Sequence, residues 1–287
     1  MSGIKITCDS TCDLTESLYS NYGVTVMPLG VVLGEDLRKD GVDVDPAAIF
    51  DYVGKTGVLP KTSAVSVNEY YETFKQFCLE GSAVIHINIS SDFSSCYTNA
   101  VQAASMVKEE IPDADIRVIV SRNLSSGSGH LVLLARELAN SGLSAADIED
   151  RLNKAKNRLD VSFVLQTLEY LQKGGRCPGV VAFGANLLKL RPEIEVREGK
   201  MGVAKKYRGS MEKSILDYVR GRLAGREDID TKRIFITHSH VPQEIVDKVR
   251  AQISELQPFE EIIETYAGCT VSSHCGPNCL GVLFFTK

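Results

Sequence analysis

Residues 82–107, SAVIHINISSDFSSCYTNAVQAASMV, carry the pattern that decides the fold. Residues 83–89 are a short run rich in β-branched side chains, which predicts a buried strand. From Tyr97 onward the apolar residues recur at helical spacing, which predicts a helix with one buried face. A serine-rich loop joins the two elements. Open α/β sheets bind ligands at loops of this kind, where a strand ends and a helix begins.

Ser94 and Ser95, at the end of this loop, have two interpretations. The N–H groups of the first helical turn favour an anion, and serine hydroxyls add neutral donors, so the loop is suited to hold a carboxylate or a phosphate. Alternatively, one of the two serines is an ordinary N-cap of the helix. On this stretch alone we favour the N-cap.

The composition is typical of a globular protein with no membrane span. The chain has 287 residues, of which 44% are hydrophobic and 24% are charged, and no apolar run approaches the roughly 18 residues that a span requires. We therefore expect no stable membrane insertion. A formal charge of −5 argues against a nucleic-acid partner. Eight cysteines without a secretory signal predict reduced thiols and a cytoplasmic location.

The order of the predicted elements indicates two domains. Strand, turn and helix alternate up to residue 158, so residues 1–158 are predicted to form an α/β domain whose mainly parallel sheet has helices on both faces. The pattern then changes, and residues 159–287 are predicted to form a second α/β domain. Within it we expect a helix at residues 180–190 and a hairpin around Gly199. Residues 34–46 are polar and are expected to be an exposed excursion.

Further candidate functional residues lie in other loops. Thr62 and Ser63 precede a helix whose capping box does not involve them, so they are available for a ligand or for a turn. The small-residue loop at residues 121–130 fits either phosphate binding or tight packing of the helix that follows. Arg176 follows a glycine pair and has three interpretations: it binds an anion, it contacts a partner protein, or it lies in solvent at the end of a helix. His274 is expected in a loop before the last strand, where it has a structural role or donates a hydrogen bond to an anion.

A zinc site can be drawn from four residues near the C-terminus: Cys269, His274, Cys275 and Cys279. A single four-ligand cluster is a weak signal, and small buried thiols are common in protein cores. We therefore expect core cysteines, no metal and no cofactor.

Taken together, these features resemble the DegV family over the whole chain. The matching landmarks are Pro60 with Thr62 and Ser63, Ser90 and Ser91 with Ser94, the segment LEYLQKGGR at residues 168–176, and His274 with Gly276 and Pro277. The resemblance implies a two-domain fold that holds one long-chain fatty acid as its ligand, with the acyl chain inside the second domain. It implies that the carboxylate lies at the domain junction, with Arg176 near that end, and is held by Thr62, Ser63, Ser94 and His274.

The resemblance also implies a carrier that has no catalytic residue of its own. A separate fatty-acid kinase catalytic subunit would form the acyl phosphate, a step that leads to phospholipid synthesis. One alternative is a hydrolase or acyl-transfer enzyme that uses Ser94 or Ser63 with His274, but the chain has no G-x-S-x-G elbow. A second alternative is a nucleotide or sugar-phosphate binder, but the chain has neither Walker A nor G-x-G-x-x-G.

Overall fold

A computed structural model describes residues 3–177 and 190–287. Its strands are β1 (Ile4–Asp9), β2 (Val24–Met27), β3 (Gly30–Leu33), β4 (Asp36–Lys39), β5 (Lys61–Ser63), β6 (Ala83–Asn88), β7 (Ile116–Val120), β8 (Leu159–Val164), β9 (Leu190–Arg197), β10 (Lys200–Arg208), β11 (Ile229–Ser239), β12 (Glu261–Tyr266) and β13 (Cys279–Thr286). Its α-helices are α1 (Glu16–Asn21), α2 (Pro46–Thr56), α3 (Val67–Leu79), α4 (Cys96–Glu110), α5 (Ser125–Asn140), α6 (Ala145–Ala155), α7 (Glu169–Gly174), α8 (Met211–Leu223), α9 (Gln243–Leu256) and α10 (Cys269–Cys275). The helix predicted at residues 180–190 lies outside the described residues, except for Leu190, which begins β9.

The first sheet is four-stranded and parallel, in the order β2-β1-β6-β7. Its central strands are buried because helices cover both faces. On one side α3 and α4 pack together, and the rings of Tyr70 and Phe74 lie against His86 of β6. Helices α5 and α6 contact the same strands from the other side. This confirms the parallel sheet and the strand-loop-helix unit predicted from residues 82–107.

Helix α5 lies between the first sheet and the second, and its first nine residues are all buried. A Cβ added to Gly127 would come within 2.8 Å of the Val161 side chain, and one added to Gly129 within 2.6 Å of Leu14. These contacts support the packing interpretation of the small-residue segment at residues 121–130. The helix begins at Ser125 rather than after His130, because tight packing between two sheets outweighs the low helix propensity of serine and glycine.

The second sheet is six-stranded and mixed, in the order β10-β9-β8-β13-β11-β12. Only β11 and β12 pair in parallel among its described strands, and the hairpin of β9 and β10 turns at Gly199 as predicted. Helices α8 and α9 bury one face of this sheet. The other face meets α5, where His130 Nε2 lies 3.0 Å from the carbonyl oxygen of Leu283.

The third sheet is small and antiparallel, in the order β4-β3-β5. Within the exposed excursion expected at residues 34–46, Asp36–Lys39 forms a strand rather than a turn, because it pairs with β3 at the edge of the sheet. Its side chains remain largely exposed, which is why the polar sequence gave no strand pattern. Residues 61–63, expected in a loop or turn, form β5, which pairs Thr62 with Val31.

The change of sheet falls where the sequence pattern changes, since β8 is the first strand of the second sheet. One cluster of buried apolar side chains nevertheless extends across both large sheets, from Ile6 and Ile85 to Phe163 and Leu283. The division into domains at residues 158 and 159 therefore stays a prediction. Within the described residues, no helix is long and apolar enough to cross a bilayer.

Candidate functional site

The five predicted site residues line a single chamber, which we call the head chamber. It lies among the third sheet, the β6–α4 loop, the end of α7 and α10, and it has about 510 Å³ of space not filled by protein atoms, part of it open to solvent. Besides these five polar residues, most of the side chains that line the head chamber are apolar. The head chamber is lined by Leu29, Thr62, Ser63, Ala64, Ile89, Phe93, Ser94, Leu124, Arg176, Met201, Thr270, Val271, His274 and Cys275.

Thr62 and His274 form the polar centre of the head chamber. Thr62 Oγ1 lies 3.0 Å from His274 Nε2, although the two residues are 212 positions apart. The expectation that His274 lies in a loop was wrong, because it occupies the last turn of α10. Residues 269–275 gave no helical pattern because both faces of this short helix are buried.

The imidazole of His274 is neutral under ordinary conditions. Burial and, to a smaller extent, the positive charge of Arg176 together lower the pKa of His274 to about 4. Nδ1 of the ring is buried and has no hydrogen-bond partner within the described residues. Because an orphaned buried N–H is rarer than an orphaned acceptor, the proton belongs on Nε2, which donates to Thr62 Oγ1. The Thr62 hydroxyl proton is then directed elsewhere and is available to a ligand.

Gly174 lets His274 approach the end of α7. A Cβ added at this position would lie 2.3 Å from His274 Nδ1, well inside contact distance. The following residue, Gly175, has a φ of +70° and ends the helix in the left-handed conformation. The pair therefore has two roles, a close approach at the first glycine and a helix end at the second.

Ser94 and Arg176 bring the β6–α4 loop to the chamber. Ser94 Oγ accepts a hydrogen bond from the Cys96 N–H at 3.3 Å, while Ser95 occupies the N-cap position without a side-chain bond. Arg176 donates to the carbonyl oxygens of Phe93 at 3.2 Å and Gly174 at 2.7 Å. The guanidinium therefore ties the loop to α7 and places a positive charge at the chamber.

A buried carboxylate fixes the strand end beneath this loop. Asp9 is fully buried and accepts hydrogen bonds from the Tyr70 hydroxyl at 2.5 Å and from the Ile89 N–H at 2.9 Å. Asn88 Nδ2 lies 3.2 Å from both carboxylate oxygens. These bonds hold Ile89, one wall of the head chamber, in position. The partners of Asp9 on α3 and β6 lie 61 and 79 positions along the chain, so no local pattern identifies them.

A second cavity adjoins the head chamber, and we call it the tail chamber. It has about 340 Å³ of space not filled by protein atoms, part of it open to solvent, and it shares Leu124, Val271 and Cys275 with the head chamber. The rest of its lining comes from α5, the segment before α10 and the inner face of the second sheet, including Val161, Phe163 and Leu283. The head chamber therefore lies beside the exposed Ser63, and the adjacent tail chamber is mostly apolar, with Ser125, Thr237 and His238 as its polar lining residues.

The other chemical interpretations of these residues find little support. The parts of the chain that the structure describes contain no group of three or more side chains that could hold a metal, so the four residues drawn as a zinc site do not assemble. All eight cysteines lie within residues 3–177 and 190–287, and no disulfide joins any two of them there. His274 contacts Thr62 rather than Ser94 or Ser63, and no described carboxylate orients its Nδ1, as a hydrolytic triad requires.

Comparison with known proteins identifies the family. The family model described as "Uncharacterised protein, DegV family" matches residues 3–287. A DegV domain-containing protein of Clostridium acetobutylicum is 30% identical over the full length of both chains. A Thermus thermophilus DegV family protein, whose structure is described for its fatty acid binding, is 31% identical and covers 99% of this chain and 100% of its own, with a TM-score of 0.86. A stearic acid-binding protein from Eubacterium ventriosum is 26% identical, with coverages of 100% and 99% and a TM-score of 0.88. The chain belongs to the DegV family.

Proposed function

We propose that this chain binds one long-chain fatty acid, with the carboxylate in the head chamber and the acyl chain in the tail chamber. The observation that carries the proposal is that the two chambers are adjacent and share three lining residues. Thr62, Ser94 and His274 line the head chamber, and the tail chamber is mostly apolar apart from Ser125, Thr237 and His238. The relatives from Thermus thermophilus and Eubacterium ventriosum, which are described as fatty acid binders, support the same ligand class.

The two ends of the ligand have different roles in this proposal. Burial of an acyl chain contributes about 0.8 kcal/mol per methylene, so a long chain gains on the order of 10 kcal/mol before the costs of binding. The head chamber therefore needs to orient the carboxylate more than to add affinity. The Thr62 hydroxyl, polarised by the His274 N–H, and the Ser94 hydroxyl donate to the carboxylate, and Ser63 lies beside them. Arg176 adds a favourable positive charge.

We further propose that the chain presents the bound acid to a separate fatty-acid kinase catalytic subunit, which forms the acyl phosphate. Ser63 is exposed and Ser94 is partly exposed, whereas the tail chamber residues Phe163 and Leu283 are buried. A ligand in this orientation has its carboxylate towards the surface and its chain enclosed. The chain then acts as a carrier, and the phosphoryl transfer needs no catalytic residue from it. Addition of a kinase subunit and ATP to the loaded protein should convert the bound acid to acyl phosphate.

Calorimetric titration with palmitate tests the binding proposal. Thr62→Val and Ser94→Ala each remove a hydrogen bond to a charged group, which predicts a roughly 10- to 100-fold loss of affinity. Thr98→Val, at an exposed position of α4, is the matched control and should bind like the unaltered protein. Palmitate methyl ester has no carboxylate, so its weaker binding should differ little among the variants. If both site variants bind palmitate as tightly as the control does, the assignment of the head chamber is wrong.

A further inference from the structure

Thr270 has an unused hydroxyl in the head chamber. It lies in the first turn of α10, is 5% exposed and lines the chamber. Its Oγ1 is buried without a hydrogen-bond partner among residues 3–177 and 190–287. Buried hydroxyls are normally satisfied, so an orphan that lines a binding chamber indicates a partner supplied by the ligand.

The carboxylate of Asp40 fixes the backbone of Thr270 at the start of α10. Its N–H donates to Asp40 Oδ2 at 3.1 Å, and the neighbouring Cys269 N–H donates to Asp40 Oδ1 at 2.8 Å. Ser10 donates to the same carboxylate at 3.1 Å. Asp40 is therefore fully engaged with other groups, and it holds the Thr270 side chain in place without using its hydroxyl.

Thr270 and His274 lie on one side of α10. They are four positions apart, which places them about one turn, or roughly 5 Å, from each other along the helix axis. Both line the head chamber, and His274 contacts Thr62 there. A carboxylate has two oxygens with about four acceptor sites, so it has room for a further donor besides Thr62 and Ser94.

We propose that the Thr270 hydroxyl donates a hydrogen bond to the carboxylate of the bound fatty acid and so contributes to selection of an ionised head group. This inference rests on the proposed function. Since an unsubstituted fatty acid has polar atoms only in its carboxylate, that group is the sole partner such a ligand offers to Thr270. Sequence reasoning did not select Thr270, because its spacing from His274 has meaning only when residues 269–275 are a helix.

Two substitutions separate a ligand contact from a structural role. Thr270→Val keeps the shape of the side chain and removes the hydroxyl, whereas Thr270→Ser keeps the hydroxyl. We expect Thr270→Val to bind palmitate about 10-fold more weakly and Thr270→Ser to retain most of the affinity. The melting temperature of the ligand-free Thr270→Val protein should be unchanged or raised, since the substitution removes an unsatisfied polar group. A purely structural threonine would instead lose stability along with affinity.

The ligand series makes the result decisive. Palmitate, its methyl ester and 3-hydroxypalmitate are titrated into both variants, with Thr62→Val in parallel. The proposal predicts a loss for Thr270→Val with both acids and little change with the ester. It is overturned if Thr270→Val binds palmitate normally while Thr62→Val does not, or if the loss occurs with 3-hydroxypalmitate alone. If the unaltered protein binds none of the three lipids, the proposed function fails as well.

Discussion

Gly174→Ala gives a sensitive test of the His274 and Thr62 pair. The added Cβ would lie 2.3 Å from His274 Nδ1, whereas ordinary contacts begin near 3.4 Å. The imidazole therefore has to retreat by about 1 Å, which is enough to break its 3.0 Å hydrogen bond to Thr62. The net value of such a bond is about 0.5 to 1.5 kcal/mol, which predicts a roughly 3- to 10-fold loss of fatty acid affinity.

Gly175→Ala is the matched control for this substitution. No atom lies within 4 Å of a Cβ at that position, but its φ of +70° is unfavourable for alanine. We expect Gly175→Ala to cost about 1 kcal/mol of unfolding free energy and to leave affinity unchanged. Calorimetric titration gives the affinities and urea unfolding gives the stabilities. Normal binding by Gly174→Ala, or an equal loss in both variants, would refute the role assigned to this contact.

Other predictions concern the channel and the pH response. Val271→Phe enlarges a side chain that lines both chambers, so it should block entry to the tail chamber. The binding free energy should then no longer improve by about 0.8 kcal/mol with each added methylene. Titration with fatty acids of increasing length measures this dependence. Equal chain-length dependence in variant and parent would contradict the assigned path. For His274, the folded pKa of about 4 lies below the unfolded value of 6.5, so the unfolded state gains the proton first as the pH falls. The free energy of unfolding should therefore decrease as the pH is lowered from about 6.5 to 4. In urea unfolding, this decrease should be smaller in His274→Gln than in the unaltered protein, by on the order of 1 to 3 kcal/mol. His130 has a similarly lowered pKa and is present in both proteins, so a parallel decrease in the two would show that His274 does not contribute.

The sequence predicted the parts of the fold that have strong local patterns. The β6–α4 unit has a β-branched run followed by helical spacing, and the capping box of α3 is present with both of its hydrogen bonds. The helix α10 was not predicted because its support comes from far along the chain. Asp40 receives the Cys269 N–H across 229 positions, and no local pattern records such a cap. The strand β4 was not predicted for the same reason, since the hydrogen bonds that make it a strand come from its pairing with β3.

The candidate site was predictable to the extent that hydroxyls and a histidine occur at loops near strand ends. Thr62, Ser63, Ser94, Arg176 and His274 do line one chamber, while their role in ligand binding stays a prediction. The close approach of Gly174 to His274 and the orphan hydroxyl of Thr270 depend on how α7 and α10 pack together. Such tertiary packing leaves no spacing rule in the sequence, so these residues became candidates only with the structure.

Native mass spectrometry of the purified protein, followed by denaturation and lipid analysis, tests the central claim most directly. The proposed function predicts a mass excess of one fatty acid per chain, with the acid identified after release. Protein that is isolated empty should gain the same excess when a long-chain acid is added. A chain that is empty on isolation and gains no mass with added fatty acid would contradict the account.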